Sequence, residues 1–95
     1  MDMRKPLVAA NWKMYKTIAE AVSFAEEFQG LIGPLKDREV VIAPPFTALA
    51  ALRAAVRQEG FRVAAQNCHW EEKGAYTGEI STAMLKDIEI GRAHV

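Results

Sequence analysis

Leu7-Val8-Ala9-Ala10-Asn11-Trp12-Lys13-Met14-Tyr15 is the stretch whose reading decides the fold. An apolar run ends abruptly in an amide, an indole and an ammonium, the signature of a buried strand delivering polar groups to its C-terminal end. Side chains alternate across a strand, so Asn11 and Lys13 are expected to point one way and Trp12 the other. That geometry aims an amide and a fixed positive charge into one cleft.

Outward from this strand, at Pro6 to Ala10, helix and strand signals alternate. Thr17 to Ile32 has a helical apolar stripe (Ala21, Phe24, Ala25, Phe28, Leu31, Ile32) and opens on a capping box, Thr17 with Glu20 three residues later. Gly30, Gly33 and Pro34 supply stop signals. Glu39 to Ala43 is a second strand, ended by Pro44-Pro45. Thr47 to Gln58 is a second helix, with Thr47 as its expected cap and Leu49, Leu52 and Val56 on one face; Gly60 ends it. Phe61 to Gln66 is a third strand, Asn67 to Gly78 a polar and aromatic loop, and Ser81 to about Ile88 the start of a third helix. Such alternation implies a parallel sheet with right-handed crossovers. The spacing suits the repeating unit of a (β/α)8 barrel, although the pattern alone does not separate that barrel from an open doubly wound sheet. No G-x-G-x-x-G follows the first strand, which counts against a dinucleotide site. In either architecture ligands bind at the C-terminal ends of the strands, where the unusual segments at Asn11, Pro44 and Asn67 all fall.

Composition narrows the function classes. Twelve Lys and Arg balance twelve Asp and Glu, with no basic stripe for nucleic acid and no acidic tail. Apolar runs fall far short of a membrane span, and Met1 to Pro6 holds no apolar signal region, so a cytoplasmic protein is expected. Cys68 is the single cysteine, so no internal disulfide is expected, and with only His69 beside it a zinc site is not expected; it reads as a small filler near a strand end. Glu71-Glu72 and Glu26-Glu27 read as solvated carboxylates, and His69 as a surface or interface residue rather than a base.

The downstream loop carries Gln66-Asn67-Cys68-His69-Trp70 and Gly74-Ala75-Tyr76-Thr77-Gly78-Glu79. It is too long and too aromatic for a plain connection, and such loops are usually functional or packed against something. Together, the Asn11-Trp12-Lys13 and Tyr76-Thr77-Gly78-Glu79 segments make the chain resemble the triosephosphate isomerase family, almost continuously from Arg4 to Ile88. The resemblance implies the first three strand–helix units of an incomplete (β/α)8 TIM barrel. It implies a homodimeric isomerase without metal or cofactor, acting on dihydroxyacetone phosphate and glyceraldehyde 3-phosphate in glycolysis and gluconeogenesis. Asn11 and Lys13 would bind substrate. The loop would be the projecting dimer loop, with Thr77 approaching Asn11 and Lys13 of the other subunit and Met14 enclosed by the partner's loop. Phe46, Trp70, Tyr76 and Glu79 complete the expected interface; Glu79 and Gln66 would anchor the loop rather than do chemistry.

A glutamate base, a histidine electrophile and a closing lid are the family's established roles, carried over by the resemblance and not by residues of this chain. The family places its electrophile in a Gly-His-Ser-Glu context, which is absent here; His94, within Gly91-Arg92-Ala93-His94-Val95, does not match it. Residues 1–88 thus read as the N-terminal part of a barrel domain, and 89–95 as a non-native tail. Glu89 to Val95 back-translates as GAG ATC GGA AGA GCA CAC GTC, which after its first base is the start of a common sequencing adapter. Genomic DNA encoding this tail without a break would defeat that expectation. The rival reading is a genuine short protein that uses the Asn67–Glu79 loop as a dimerisation or interaction module; a second rival is another phosphate-binding barrel enzyme.

Overall fold

Three parallel strands alternate with three helices in the computed structural model, which describes residues 6–91. The readings made at Met1 to Lys5 and at residues 92–95, His94 included, lie outside the described residues. The order is β1 (Leu7–Asn11), α1 (Ile18–Ile32), β2 (Glu39–Ala43), α2 (Phe46–Ala55), β3 (Phe61–Val63) and α3 (Thr82–Asp87). The sheet runs β1-β2-β3, with Leu7 opposite Glu39, Asn11 opposite Ala43 and Val40 opposite Phe61. This open α/β sheet has the strand–helix alternation expected of the first three units of a barrel, and three strands leave it unclosed.

The first helix follows its sequence signals closely. Thr17 is its N-cap: its hydroxyl accepts from the Glu20 N–H, and the Glu20 carboxylate accepts from the Thr17 N–H at 2.9 Å. Gly30 lies inside the helix rather than ending it; the stop is Gly33, whose positive φ of 76° is open to glycine at no Cβ cost. The second helix departs from expectation. It begins at Phe46, one residue before the expected cap, because Pro45 takes the N-cap position with its ring fixing φ at −56°, and Thr47 makes no capping bond. It also ends at Ala55, short of Gln58.

One face of the sheet and the two long helices enclose the core: Ala21, Ala25, Ile42, Ala48, Leu49, Leu52, Val56, Phe61, Val63, Ala65, Leu85 and Ile90. The small residues Ala21, Ala25 and Ala48 let α1 and α2 approach closely. Phe24, Phe28 and Phe61 continue the packing as a run of ring contacts, with centroids 5.4 Å and 5.8 Å apart. A buried amide joins the helices. Gln29 Nε2 donates to the carbonyls of Ala25 and Ala55, and its Oε1 accepts from the N–H groups of Arg57 and Gln58, all within 3.0 Å. It closes the end of α2, where the C-cap residue is Val56 rather than a glycine. Gly60, at φ 90°, opens β3: a Cβ there would lie 2.5 Å from the Leu35 Cβ, so only glycine lets the two loops meet.

Two expectations of burial fail. β1 reads as a buried strand, yet Leu7 is 56% and Val8 57% exposed. The strand is a sheet edge, and the second sheet face carries only a small cluster of Val41, Ala43 and Ala64. The α1 stripe also runs out at its end, where Leu31 is 81% exposed. β3 is shorter than Phe61 to Gln66; the Ala64 N–H still donates to Ile42, after which the chain turns away. Ser81 caps α3 through the Met84 N–H, and Ile90 beyond it is buried with its N–H on Leu85.

Candidate functional site

At the C-terminal ends of the strands, Asn11, Lys13, Met14, Pro45, Phe46, Thr47, Gln66 and Asn67 line one open depression. The sheet register explains the gathering. Asn11 pairs with Ala43, so β1 and β2 end side by side, and the residues after β3 arrive next to them. Asn11 and Lys13 face this space while Trp12 packs against the core, edge-to-face with Phe24 at 5.4 Å. The expected two-sidedness holds, but for a different reason at Lys13. The strand stops at Asn11, and Lys13 has left-handed backbone, φ 55°. A side chain in that region costs about 1–2 kcal/mol, so surrounding bonds must hold it.

Those bonds are visible. The Lys13 N–H donates to Asn11 Oδ1 at 2.8 Å. Gln66 Nε2 donates to the Lys13 carbonyl at 2.8 Å and to the Ala43 carbonyl at 2.9 Å. The Trp12 N–H also donates to Ala43, so one carbonyl at the end of β2 ties the loop after β1 and the segment after β3. Lys16, also left-handed at φ 78°, sets its ammonium over the rings of Trp12 and Phe24, 5.5 and 5.1 Å from their centroids, a cation–π contact on the far side of the same loop. Sequence reasoning missed Lys16 entirely and gave Gln66 only a loop-anchoring part. A side chain that bonds backbone carbonyls far along the chain leaves no spacing signal.

The loop after β3 is organised around His69. Its ring lies 4.6 Å from Trp70 and 4.2 Å from Tyr76, its backbone N–H donates to the Ile80 carbonyl, and its backbone bridges to Ser81. Trp70 stays 82% exposed, Tyr76 is about half exposed, and Thr77 and Glu79 are exposed. Tyr76 and Glu79 share a hollow with His69, whereas Met14 and Phe46 belong to the depression of Asn11 and Lys13; Met14 is 93% exposed. Cys68 packs against the core, in keeping with a filler. Among the described residues there is no cluster of three metal-ligating side chains, and no helix long and apolar enough to cross a membrane. A separate hollow at the start of β3 is lined by Arg53, Arg57 and Arg62, but Arg53 contacts Glu89 at 3.6 Å and Arg62 contacts Glu39 at 3.5 Å.

A parallel α/β sheet with crossover helices, here gathering an amide and an ammonium at the C-terminal ends of its strands, is an architecture of the barrel or doubly wound type. The comparisons decide between them. The sequence profile described as "Triosephosphate isomerase" matches residues 6–95, and the chain belongs to that family. It is 52% identical over 93 residues to the triosephosphate isomerase of Solibacter usitatus and 47% identical over 93 residues to that of Trichlorobacter lovleyi. Each alignment covers 98% of this chain and 36% of the relative. With the Dictyoglomus thermophilum protein of the same name it shares 50% over 86 residues, 90% of this chain and 34% of that one. The chain therefore spans about a third of the length of the curated relatives it matches.

Proposed function

We propose that the intact protein is a triosephosphate isomerase, interconverting dihydroxyacetone phosphate and D-glyceraldehyde 3-phosphate, and that this chain supplies the substrate-binding corner made by Asn11 and Lys13. The observation that carries the reading is Lys13 itself: a fixed cation, locked in left-handed backbone by two side-chain amides, at the strand ends where such folds hold ligands. Aldose–ketose isomerisation passes through an enediolate. A preorganised ammonium beside the developing oxyanion lowers that barrier, because it needs no reorganisation when the charge appears. Asn11 keeps the Lys13 peptide in place and presents its remaining amide to the same depression. On this reading the protein is a cytoplasmic homodimer, with Met14, Phe46, Trp70, Tyr76, Thr77 and Glu79 at the interface.

Lys13→Ala in the intact protein is expected to cost roughly 3–4 kcal/mol of transition-state stabilisation, read as kcat/KM, by analogy with loss of an oxyanion donor. Unchanged kcat/KM would sink the assignment. The 95 residues contain no Gly-His-Ser-Glu segment, so this chain alone is expected to show no isomerisation above the buffer rate. A second reading, an interaction module acting through the Asn67–Glu79 loop, is favoured by Trp70 standing 82% exposed on a loop stiffened by ring stacking. A concentration-dependent dimer of this chain that Trp70→Ala abolishes would support it.

A further inference from the structure

We infer that Gln66 is a positioning residue for Lys13, and that its amide fixes where the ammonium stands; this rests on the Lys13 reading above. The geometry is specific. Gln66 Nε2 donates to the Lys13 carbonyl at 2.8 Å and to the Ala43 carbonyl at 2.9 Å, so one NH2 group spends both protons on two separate segments. Asn11 Oδ1 holds the N–H of the same Lys13 residue at 2.8 Å. The two amides therefore grip Lys13 from both of its peptide groups, on a backbone whose positive φ of 55° a lysine does not hold unaided. Ala43 is buried at the end of β2, so it is the rigid reference to which Gln66 ties the lysine loop. Lys13 lies outside the regular ladders of both neighbouring elements, because β1 ends at Asn11 and α1 starts at Ile18.

Without the Gln66 bonds the Lys13 peptide is free to relax toward ordinary φ. The ammonium then moves relative to a bound substrate by a distance of the order of an ångström, a displacement that costs a reaction about 100-fold. Gln66 needs no contact with substrate to have this effect.

The test is a double-mutant cycle on kcat/KM in the intact protein, with Lys13→Ala, Gln66→Met and the pair. Methionine keeps the length of the side chain and removes both donors. Gln66→Met alone is expected to lower kcat/KM by about 10- to 100-fold, and to lower it by less than twofold when Lys13 is already alanine, since there is then no ammonium to position. If Gln66→Met does not fold, Gln66→Leu, also neutral and without donors, takes its place in the cycle. A Gln66 variant with full activity overturns the inference, as do losses that multiply, which would mark a purely structural role; in both cases the Lys13 reading stands. Full activity in Lys13→Ala overturns that reading and the positioning role with it.

Discussion

Single side chains in this protein matter most where they bond backbone rather than each other. Gln29 is the clearest case for stability: only 6% exposed, it satisfies one carbonyl and two N–H groups at the end of α2 as well as a carbonyl of its own helix. Gln29→Leu keeps the bulk and leaves those groups without their partner. Each orphaned buried group costs about 1–3 kcal/mol, and water reaches part of this turn, so a loss of about 2–4 kcal/mol is expected. Denaturant unfolding of the intact protein would show it as a lower midpoint with an unchanged slope; a shift under about 0.5 kcal/mol would mean that water replaces the amide fully. The sequence gives no sign of Gln29's role and only a loop-anchoring part to Gln66, not its bonds to Lys13 and Ala43. Gln29 reads as a polar residue between Phe28 and Gly30, and three of its four partners are backbone atoms more than 25 residues away. Asn11 and Lys13 are legible, because polar groups at the C-terminal end of an apolar strand stand where parallel α/β folds hold ligands. What the sequence could not convey is the left-handed turn at Lys13, since strand alternation stops applying once the strand has ended.

At the scale of elements, the capping box of α1 is legible to the residue, and its chemistry makes a pH prediction. Bonds from the Thr17 backbone and hydroxyl hold the Glu20 carboxyl below its ordinary range, with Lys16 nearby adding to the effect and slight desolvation opposing it. A depressed folded-state pKa contributes stability that is present above the unfolded carboxyl pKa and is lost as pH falls through the lower, folded value. Helix α1 is therefore expected to loosen at its N-terminus in acid, and Thr17→Ala to cost about 1 kcal/mol near neutral pH. Amide exchange at residues 18–21, followed with pH, reads this directly; in Thr17→Ala the acid dependence at Glu20 should flatten. Retention of the full acid dependence in that variant would assign it to another group. Helix α2 shows the limit of such reading. Thr47 has the right chemistry for a cap, yet Pro45 already supplies the φ that a helix entry needs, and backbone preorganisation wins over the hydroxyl. The third strand is short for a related reason: the residues after Val63 turn to serve the site, and Gln66 bonds carbonyls instead of extending the ladder.

The whole molecule is a slab, 42 by 38 by 21 Å, with a radius of gyration of 14.0 Å where a compact domain of this length has about 12 Å. The excess has a structural source. Three strands cannot close a barrel, so β1 and β3 both keep open edges, and Leu7 and Val8 stand exposed on the β1 edge, one on each face of the sheet. Parallel sheets are stable when helices or further strands cover both faces, and open edges are templates for pairing with other chains. The helical side is well built, with Leu49, Leu52, Ala48 and Ala21 at 1% exposure or less, so the chain by itself should retain helix while lacking a sealed second face. We therefore expect the 95-residue chain in isolation to associate through its β1 edge. Its scattering should show species larger than a monomer, growing with concentration, while its far-ultraviolet dichroism stays helical and a hydrophobic dye binds. Val8→Lys places a charge on that edge strand and should shift the population toward monomer without removing helix. A soluble monomer that melts in one cooperative transition and binds no dye would contradict the expectation, for it would mean that helices on one face suffice to hold an open parallel sheet of three strands.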